Sequence, residues 1–216
     1  MKNIRLFIFD LDGTLVNTLE DITSSVNFTL QKLGRPVLPM DTVRQYVGDG
    51  ITMLMTRALG GRSELLEDAK GIYMVHHSRN LVVRTRLYPG VKETLEHFRG
   101  LPMAVVTNKA AEFTLPVLEE LGIRPFFRTI IGADAGLPLK PAPDAFIRIM
   151  KDLDVPKDLT VVVGDGTTDI KAGRAAGITT CAVTYGFRSE EELRRAGPDH
   201  VIHAFSELSS LFRSDE

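Results

Sequence analysis

Short apolar segments rich in β-branched residues recur along the chain, separated by stretches with helical spacing. Near-continuous apolarity over a few residues is typical of strands that are buried on both faces of a parallel sheet. The segments that predict such strands, the last of them weakly, are Ile4–Phe9, Met103–Val106, Thr129–Ile131, Thr160–Val163, Thr179–Val183 and His200–Ile202. Because helical patterns separate most of these segments, the sequence predicts a doubly wound α/β fold.

The helical patterns between the later strands have recognisable ends. The segments that predict helices there are Val91–Phe98, Ala110–Leu121, Ala142–Leu153 and Ile170–Ala176. Pro116 falls well past the first turn of the second of these, so we expect it to kink or shorten that helix. Gly177 supplies a C-terminal stop for the last one.

One long segment interrupts the alternation of strands and helices. The roughly 90 residues between the first two predicted strands contain no strand-like segment. Leu19, Ile22, Val26, Leu30 and Leu33 follow helical spacing. The helical segments here are Leu19–Leu33, Val43–Tyr46, Ile51–Leu59 and Ser63–Leu81. We therefore expect a core domain of residues 1–16 and 88–216, with a helical domain of residues 17–87 inserted after the first strand.

Composition and charge exclude several classes of protein. The 216 residues are 44% hydrophobic and 25% charged, as in soluble globular proteins. The net charge of -2 provides no basic field for nucleic acid or an anionic membrane, and no apolar stretch approaches the roughly 18 residues that span a bilayer. The single Cys181 fits a reducing compartment, and the N-terminus lacks a signal-peptide pattern, so we expect a cytoplasmic protein. Both a monomer and a homodimer remain open.

Two aspartates follow the first predicted strand directly. Ligands of an open parallel sheet bind beyond the carboxyl ends of its strands, which places Asp10 and Asp12 in the expected crevice. Carboxylates so close together repel each other and lose solvation, and a divalent cation would offset both costs. Oxygen-only ligands favour Mg²⁺. An Asx-rich turn is the structural alternative for this pair alone.

Other strand ends add compatible side chains. Asp165 is placed to complete a metal site opened by Asp10, with Asp169 behind it or serving as a helix N-terminal acid. Thr107 and the amide of Asn108 follow another strand, where they would hold phosphate oxygens or cap a helix. Lys140 stands between prolines that stiffen its loop, a setting suited to a cation that faces phosphate.

These motifs, taken together and in order, resemble those of the haloacid dehalogenase superfamily of phosphohydrolases. The matching motifs are Asp10-Leu11-Asp12-Gly13-Thr14, Thr107-Asn108, Lys140-Pro141, and Gly164-Asp165 with Asp169-Ile170. The resemblance spans nearly the whole chain and implies a Rossmann-like core with a helical cap. Within the superfamily the chain is most similar to phosphoglycolate phosphatases, through Leu87-Tyr88-Pro89-Gly90-Val91 and the cap segment Val43–Gly50. Gly166 departs from the pattern, since relatives often have a polar residue there.

The resemblance implies a role for each motif residue. Asp10 would attack phosphorus, and Asp12 would protonate the leaving alkoxide and later activate water. Mg²⁺ would be held by the Asp10 carboxylate, the Asp12 carbonyl oxygen and Asp165. The implied phosphate-binding groups are Thr107, the Asn108 amide and Lys140. In the cap, Arg44 is a candidate partner for a substrate carboxylate, and a solvent-facing helix arginine is an equally good interpretation.

The expected function is hydrolysis of a small phosphorylated metabolite, with 2-phosphoglycolate as the favoured substrate. A pyrophosphatase and a phosphosugar phosphatase or mutase are the alternatives on the same fold, and a catalytically silent interaction module is the alternative of another class. A dehalogenase is disfavoured because Asp12 would have no role in it. His76 and His77 are adjacent and would point about 100° apart on a helix, so no metal pair is predicted there.

Overall fold

The computed structural model describes residues 1–214. The strands in this range are β1 (Lys2–Ile4), β2 (Leu6–Phe9), β3 (Val16–Asn17), β4 (Arg86–Leu87), β5 (Met103–Val106), β6 (Thr129–Ile131), β7 (Thr160–Gly164), β8 (Thr179–Val183), β9 (His200–Ile202) and β10 (Phe212–Ser214). The helices are α1 (Leu19–Lys32), α2 (Met40–Tyr46), α3 (Gly50–Ala58), α4 (Leu66–Ser78), α5 (Val91–His97), α6 (Ala111–Glu120), α7 (Asp144–Leu153), α8 (Thr167–Ala176), α9 (Glu190–Ala196) and α10 (Leu208–Leu211). Residues 215 and 216, the end of the predicted core domain, lie outside the described range.

A six-stranded parallel sheet in the order β6-β5-β2-β7-β8-β9 forms the centre of the α/β part. Phe7 and Phe9 of β2 belong to the apolar cluster on one face of this sheet, and Leu6 and Ile8 belong to the cluster on the other face. Successive strand residues point to opposite faces, so a continuous apolar segment is needed when both faces are covered. The predicted α/β fold with a doubly covered parallel sheet is confirmed.

The prediction of one strand over Ile4–Phe9 is wrong. Arg5 separates β1 from β2, and its backbone N–H donates to Leu159 O at 2.8 Å. β1 pairs instead with β10 in a separate two-stranded sheet. The predicted helix Ser63–Leu81 likewise divides into a 3₁₀ turn, Ser63–Leu65, and α4. The helix around Pro116 runs from Ala111 to Glu120 with the proline inside it.

The helices α1 to α4 form a packed group with an apolar core of their own. Ile22, Val26 and Leu30, which share one face of α1, are buried there with Leu54 and Tyr73. The chain leaves and re-enters the α/β part through β3 and β4, which pair antiparallel. None of the helices in residues 1–214 is both long and apolar enough to cross a bilayer.

A buried carboxylate fixes the segment that leads back into the α/β part. Asp21 of α1 is 3% exposed and accepts backbone N–H bonds from Val83 at 3.0 Å, Arg84 at 2.9 Å and Thr85 at 2.8 Å. Hydrogen bonds to a charged acceptor are stronger than neutral ones. The α1 helix and the segment before β4 are therefore held together by one side chain.

We expect Asp21→Asn to lower the free energy of unfolding by about 1–3 kcal/mol, because an amide NH₂ would replace an acceptor that faces backbone donors. Urea denaturation followed by circular dichroism measures this. Glu20→Gln is the matched control, since Glu20 pairs with Arg86 at 3.2 Å between exposed side chains, a contact worth about 0.5 kcal/mol or less. Equal stability of the two variants would contradict the role given to Asp21.

Candidate active site

Aspartates from two parallel strands meet at the carboxyl edge of the sheet. Asp10 follows β2 and Asp165 follows β7, and these strands are direct neighbours. Asp169 approaches from the first turn of α8, and one carboxylate oxygen from each of the three residues lies within 4.8 Å of the others. The expected proximity of Asp10 and Asp165 is therefore met, and parallel strand pairing is its cause.

The ammonium group of Lys140 lies among these acids. Its Nζ donates to Asp10 Oδ1 at 2.8 Å, to Asp169 Oδ1 at 2.7 Å and to Val106 O at 2.7 Å. Burial alone would lower the pKa of Lys140, but the carboxylates of Asp10 and Asp169 outweigh burial and hold that pKa above its usual value. Lys140 is therefore a fixed cation whose three donors are all engaged.

Burial and the nearby acids raise the pKa of Asp10, the candidate nucleophile. The pKa of Asp10 is raised to about 8, mainly by burial and further by the nearby Asp169 and Asp165, while Lys140 opposes the shift. Burial also raises the pKa of Asp165 to about 6, against the N–H of Phe187, which donates to its Oδ2 at 2.7 Å. Both groups thus resist ionisation until more positive charge arrives.

The charges of this group suit a divalent cation. With all three carboxylates ionised, the single ammonium of Lys140 leaves two negative charges without a counter-charge in this group. Asp169 has both oxygens engaged, by Lys140 and by the N–H of Gly166 at 3.1 Å. Asp10 has Oδ1 on Lys140, and no hydrogen bond among residues 1–214 reaches its Oδ2. The donors are oxygens, as Mg²⁺ prefers, so the residues present fit such an ion.

Gly13 is required by the close approach of the first motif to Asp165. Its φ is +90°, and a Cβ atom there would lie 2.2 Å from Asp165 Oδ2. Any side chain at this position would push Asp165 away.

Asp12 points away from the acidic group and makes different contacts. Its Oδ1 accepts from Thr18 Oγ1 at 2.7 Å and from Lys109 Nζ at 3.2 Å. The Asp12 carboxylate is therefore separate from the candidate metal ligands. This is compatible with the expectation that Asp12 binds a metal ion only through its backbone carbonyl oxygen.

Thr107 and Asn108 follow β5 and do not cap a helix, because the next helix has its N-cap at Ala110. Thr107 lines a cavity between the cap helices and the strand ends. The side chain of Asn108 bonds both backbone groups of Lys140, each at 3.0 Å, and donates to Gly48 O at 3.0 Å. Asn108 thus holds the lysine loop and the loop before α3 together.

A small cavity lies between α1, α3, α4 and the strand ends, with a volume of about 90 Å³. It is lined by Asp10, Asp12, Ile22, Val47, Gly48, Gly50, Ile51, Leu54, Tyr73, Met74, His77, Thr107, Asn108, Lys109, Ala110, Phe113 and Ala133. Arg44 is not in this lining. Its guanidinium lies 3.6 Å from Asp41, and its side chain is 43% exposed. The structure therefore does not bring Arg44 to the other candidates.

Three residues that sequence reasoning missed also contribute here. Lys109 and His77 line the cavity, and Arg188 donates to the backbone oxygens of Arg44, at 3.1 Å, and Val47. The position of Lys109, directly after Thr107-Asn108, was a usable signal. No local pattern marks His77 or Arg188, since their importance arises from the packing of distant segments.

Comparison with known proteins agrees with the geometry. Residues 7–183 match the family model of haloacid dehalogenase-like hydrolases. The chain is 37% identical over 213 residues to a phosphoglycolate phosphatase of Pseudomonas savastanoi pv. phaseolicola, covering 94% of this chain and 78% of that protein. It is 36% identical to a phosphoglycolate phosphatase of Colwellia psychrerythraea, with 96% of each chain covered.

A solved structure has the same fold. The crystal structure of a predicted phosphoglycolate phosphatase from Haemophilus somnus 129pt superposes with a TM-score of 0.93 at 30% identity, covering 98% of this chain and 99% of that one. The family match extends from β2 to β8 and includes every motif that carried the resemblance. The chain therefore belongs to the haloacid dehalogenase-like hydrolases.

Proposed function

We propose that this protein is a Mg²⁺-dependent phosphatase that hydrolyses 2-phosphoglycolate to glycolate and phosphate through a phosphoaspartyl intermediate on Asp10. The single observation that carries the proposal is the environment of Asp10, a largely buried carboxylate that lines the small cavity, with the fixed Lys140 ammonium on Oδ1 and no hydrogen bond to Oδ2 from residues 1–214. The names of the Pseudomonas and Colwellia relatives support the choice of substrate.

In this proposal the core domain and the cap domain have different roles. Residues 1–16 and 88–216 form the core domain that supplies the reacting groups, and residues 17–87 form the cap domain that covers them. The cap excludes bulk water and supplies the apolar wall of the cavity, with Ile22, Ile51 and Leu54. A water-poor cavity strengthens each electrostatic contact with the phosphate.

The reaction proceeds in two balanced steps. Asp10 Oδ2 attacks phosphorus, the bond from phosphorus to the ester oxygen breaks, and Asp12 gives its proton to the leaving alkoxide. Asp12 then takes a proton from water, whose oxygen attacks phosphorus and releases the Asp10 carboxylate with inorganic phosphate. The Thr107 hydroxyl and the backbone N–H of Asn108 donate to the phosphate oxygens throughout, and Lys140, whose donors are already engaged, stabilises them through its charge.

Mg²⁺ would be held by the Asp10 and Asp165 carboxylates and the Asp12 carbonyl oxygen. When bound, it would supply the positive charge that keeps Asp10 ionised beside an anionic substrate. Asp169 keeps Lys140 and the Gly166 N–H in place beside that group.

The lining of this cavity disfavours a phosphosugar as the substrate. A phosphosugar presents several hydroxyls, and each needs a hydrogen-bonding partner when it is buried. The cap side of the cavity is mostly apolar, with Ile22, Leu54 and Met74, and it offers few such partners. A silent interaction module has no need for the perturbed pKa of Asp10.

We expect Asp10→Asn to lose at least about 10⁴-fold in kcat, because an amide cannot act as the nucleophile. Release of phosphate from 2-phosphoglycolate with Mg²⁺ measures this. The exposed Asp152 of α7, which pairs with Arg148 at 3.5 Å, gives the control Asp152→Asn, for which we expect wild-type turnover. Turnover by Asp10→Asn within tenfold of wild type would refute the nucleophile assignment.

We expect Asp12→Asn to accumulate phosphoenzyme with para-nitrophenyl phosphate. Its phenolate leaves with little protonation, so the first step continues, while the second step lacks its base. Rapid quenching should give a burst of nitrophenol close to one per enzyme, and mass spectrometry should place the phosphate on Asp10. Linear release at a reduced rate, without a burst, would argue against this role of Asp12.

Mg²⁺ binding should tighten as the pH rises. A ligand carboxylate must be deprotonated, and the pKa of Asp10 near 8 means that its proton competes with the metal below that pH. We expect the Kd for Mg²⁺ to fall from pH 6 to about pH 8 and to level off above it, with proton release seen by calorimetry in buffers of different ionisation enthalpy. A Kd that is constant over this range would contradict the assignment of Asp10 as a ligand.

A further inference from the structure

The cavity between the cap helices and the strand ends contains a cation with no role so far. Among the described residues that line it, Lys109 is the only lysine or arginine. Its side chain is 8% exposed, and its Nζ contacts Asp12 Oδ1 at 3.2 Å and Oδ2 at 3.4 Å. An ammonium has three N–H donors, so it has capacity for a second anion beside Asp12.

The His77 ring, which lines the same cavity, has one nitrogen without a hydrogen-bond partner among the described residues. His77 of α4 is 1% exposed, its Nδ1 lies 3.1 Å from Ser25 Oγ, and its buried Nε2 has no hydrogen-bond partner within residues 1–214. A buried polar atom left unpaired costs free energy, and a polar ligand would remove that cost. Burial, with Lys109 adding to it, lowers the pKa of His77 to about 2, so this ring is neutral and Lys109 carries the positive charge.

The apolar part of the cavity lining, from both the cap and α6, makes the contact with Lys109 selective. Ile22, Leu54 and Phe113 surround the space with apolar atoms, where a charge pair attracts more strongly than in water. An uncharged leaving group would gain nothing from a buried ammonium. Within this cavity an anionic leaving group would find a complementary charge at Lys109, next to the proposed acid Asp12.

We propose that Lys109 binds the carboxylate of the substrate and so selects phosphomonoesters whose leaving group bears an anion one carbon from the ester oxygen. This inference rests on the proposed phosphatase function and assigns its specificity to the core residue Lys109 instead of Arg44 in the cap, which is not in the cavity lining.

The test compares 2-phosphoglycolate with ethyl phosphate, which lacks the carboxylate. For Lys109→Met we expect kcat/KM for 2-phosphoglycolate to fall by at least about 30-fold, mainly through KM, as for the loss of one partner of a buried ion pair. For ethyl phosphate we expect a loss at least about tenfold smaller, because this ester loses only the effect of the Lys109 ammonium on Asp12 and no contact with a carboxylate. Lys109→Arg keeps the charge and should recover part of the preference.

Inhibition separates binding from turnover. In Lys109→Met the inhibition constant of glycolate should rise, while that of inorganic phosphate, which needs only the core groups, should stay at the wild-type value. Lys171→Met removes an exposed lysine from α8 and serves as the control with wild-type constants.

The outcomes distinguish this inference from the proposed function. Equal losses for both esters in Lys109→Met, or loss of the preference in Arg44→Met instead, would overturn the inference and leave the phosphatase intact. Failure of the wild-type protein to hydrolyse any phosphomonoester with Mg²⁺ would overturn both.

Discussion

The placement of the Lys140 ammonium between Asp10 and Asp169 is the contact on which the rest of the site depends. Three carboxylates, two of them buried and that of Asp10 largely so, would otherwise repel one another across less than 5 Å. One ammonium offsets part of that repulsion and leaves the formal charge that a divalent ion would neutralise. The lysine is itself fixed, since Asn108 bonds both backbone groups of Lys140. The site is therefore assembled by electrostatics within the core.

The parallel sheet explains how such distant residues reach one place. β2, β5 and β7 are adjacent and point the same way, so the residues that follow them, Asp10, Thr107 and Asp165, meet at one edge. The strands are short and buried on both sides, which fixes their register and the depth at which each chain end emerges. Gly13 then permits the contact with Asp165 that closes the group.

The strands of the sheet and the acids at their carboxyl ends could be predicted because short local patterns in the sequence indicate them. Continuous apolar segments marked the strands, and the acids that end β2 and β7 marked the crevice. Helix α9 was missed although Ser189 and Glu192 form a capping box, a readable signal. The contacts of Asp21, Lys109 and His77 could not be predicted, because each depends on how the cap helices pack on the core. Arg44 shows the same limit, since helical spacing does not say which way a cap side chain faces.

Side chains of the α/β part hold the end of α2 and the loop before α3 through backbone carbonyl oxygens of that segment. Asn108 bonds Gly48 O, and Arg188 bonds the backbone oxygens of Arg44 and Val47. Every residue type offers the same carbonyl oxygen, so exchange of the Arg44 or Val47 side chain leaves these hydrogen bonds in place, whereas Gly48, with φ of +118°, must stay glycine. Side chains at Arg44 and Val47 can therefore change in evolution without loss of these hydrogen bonds. The cap would then stay in place on the carboxyl edge of the sheet while the residues that face a substrate vary.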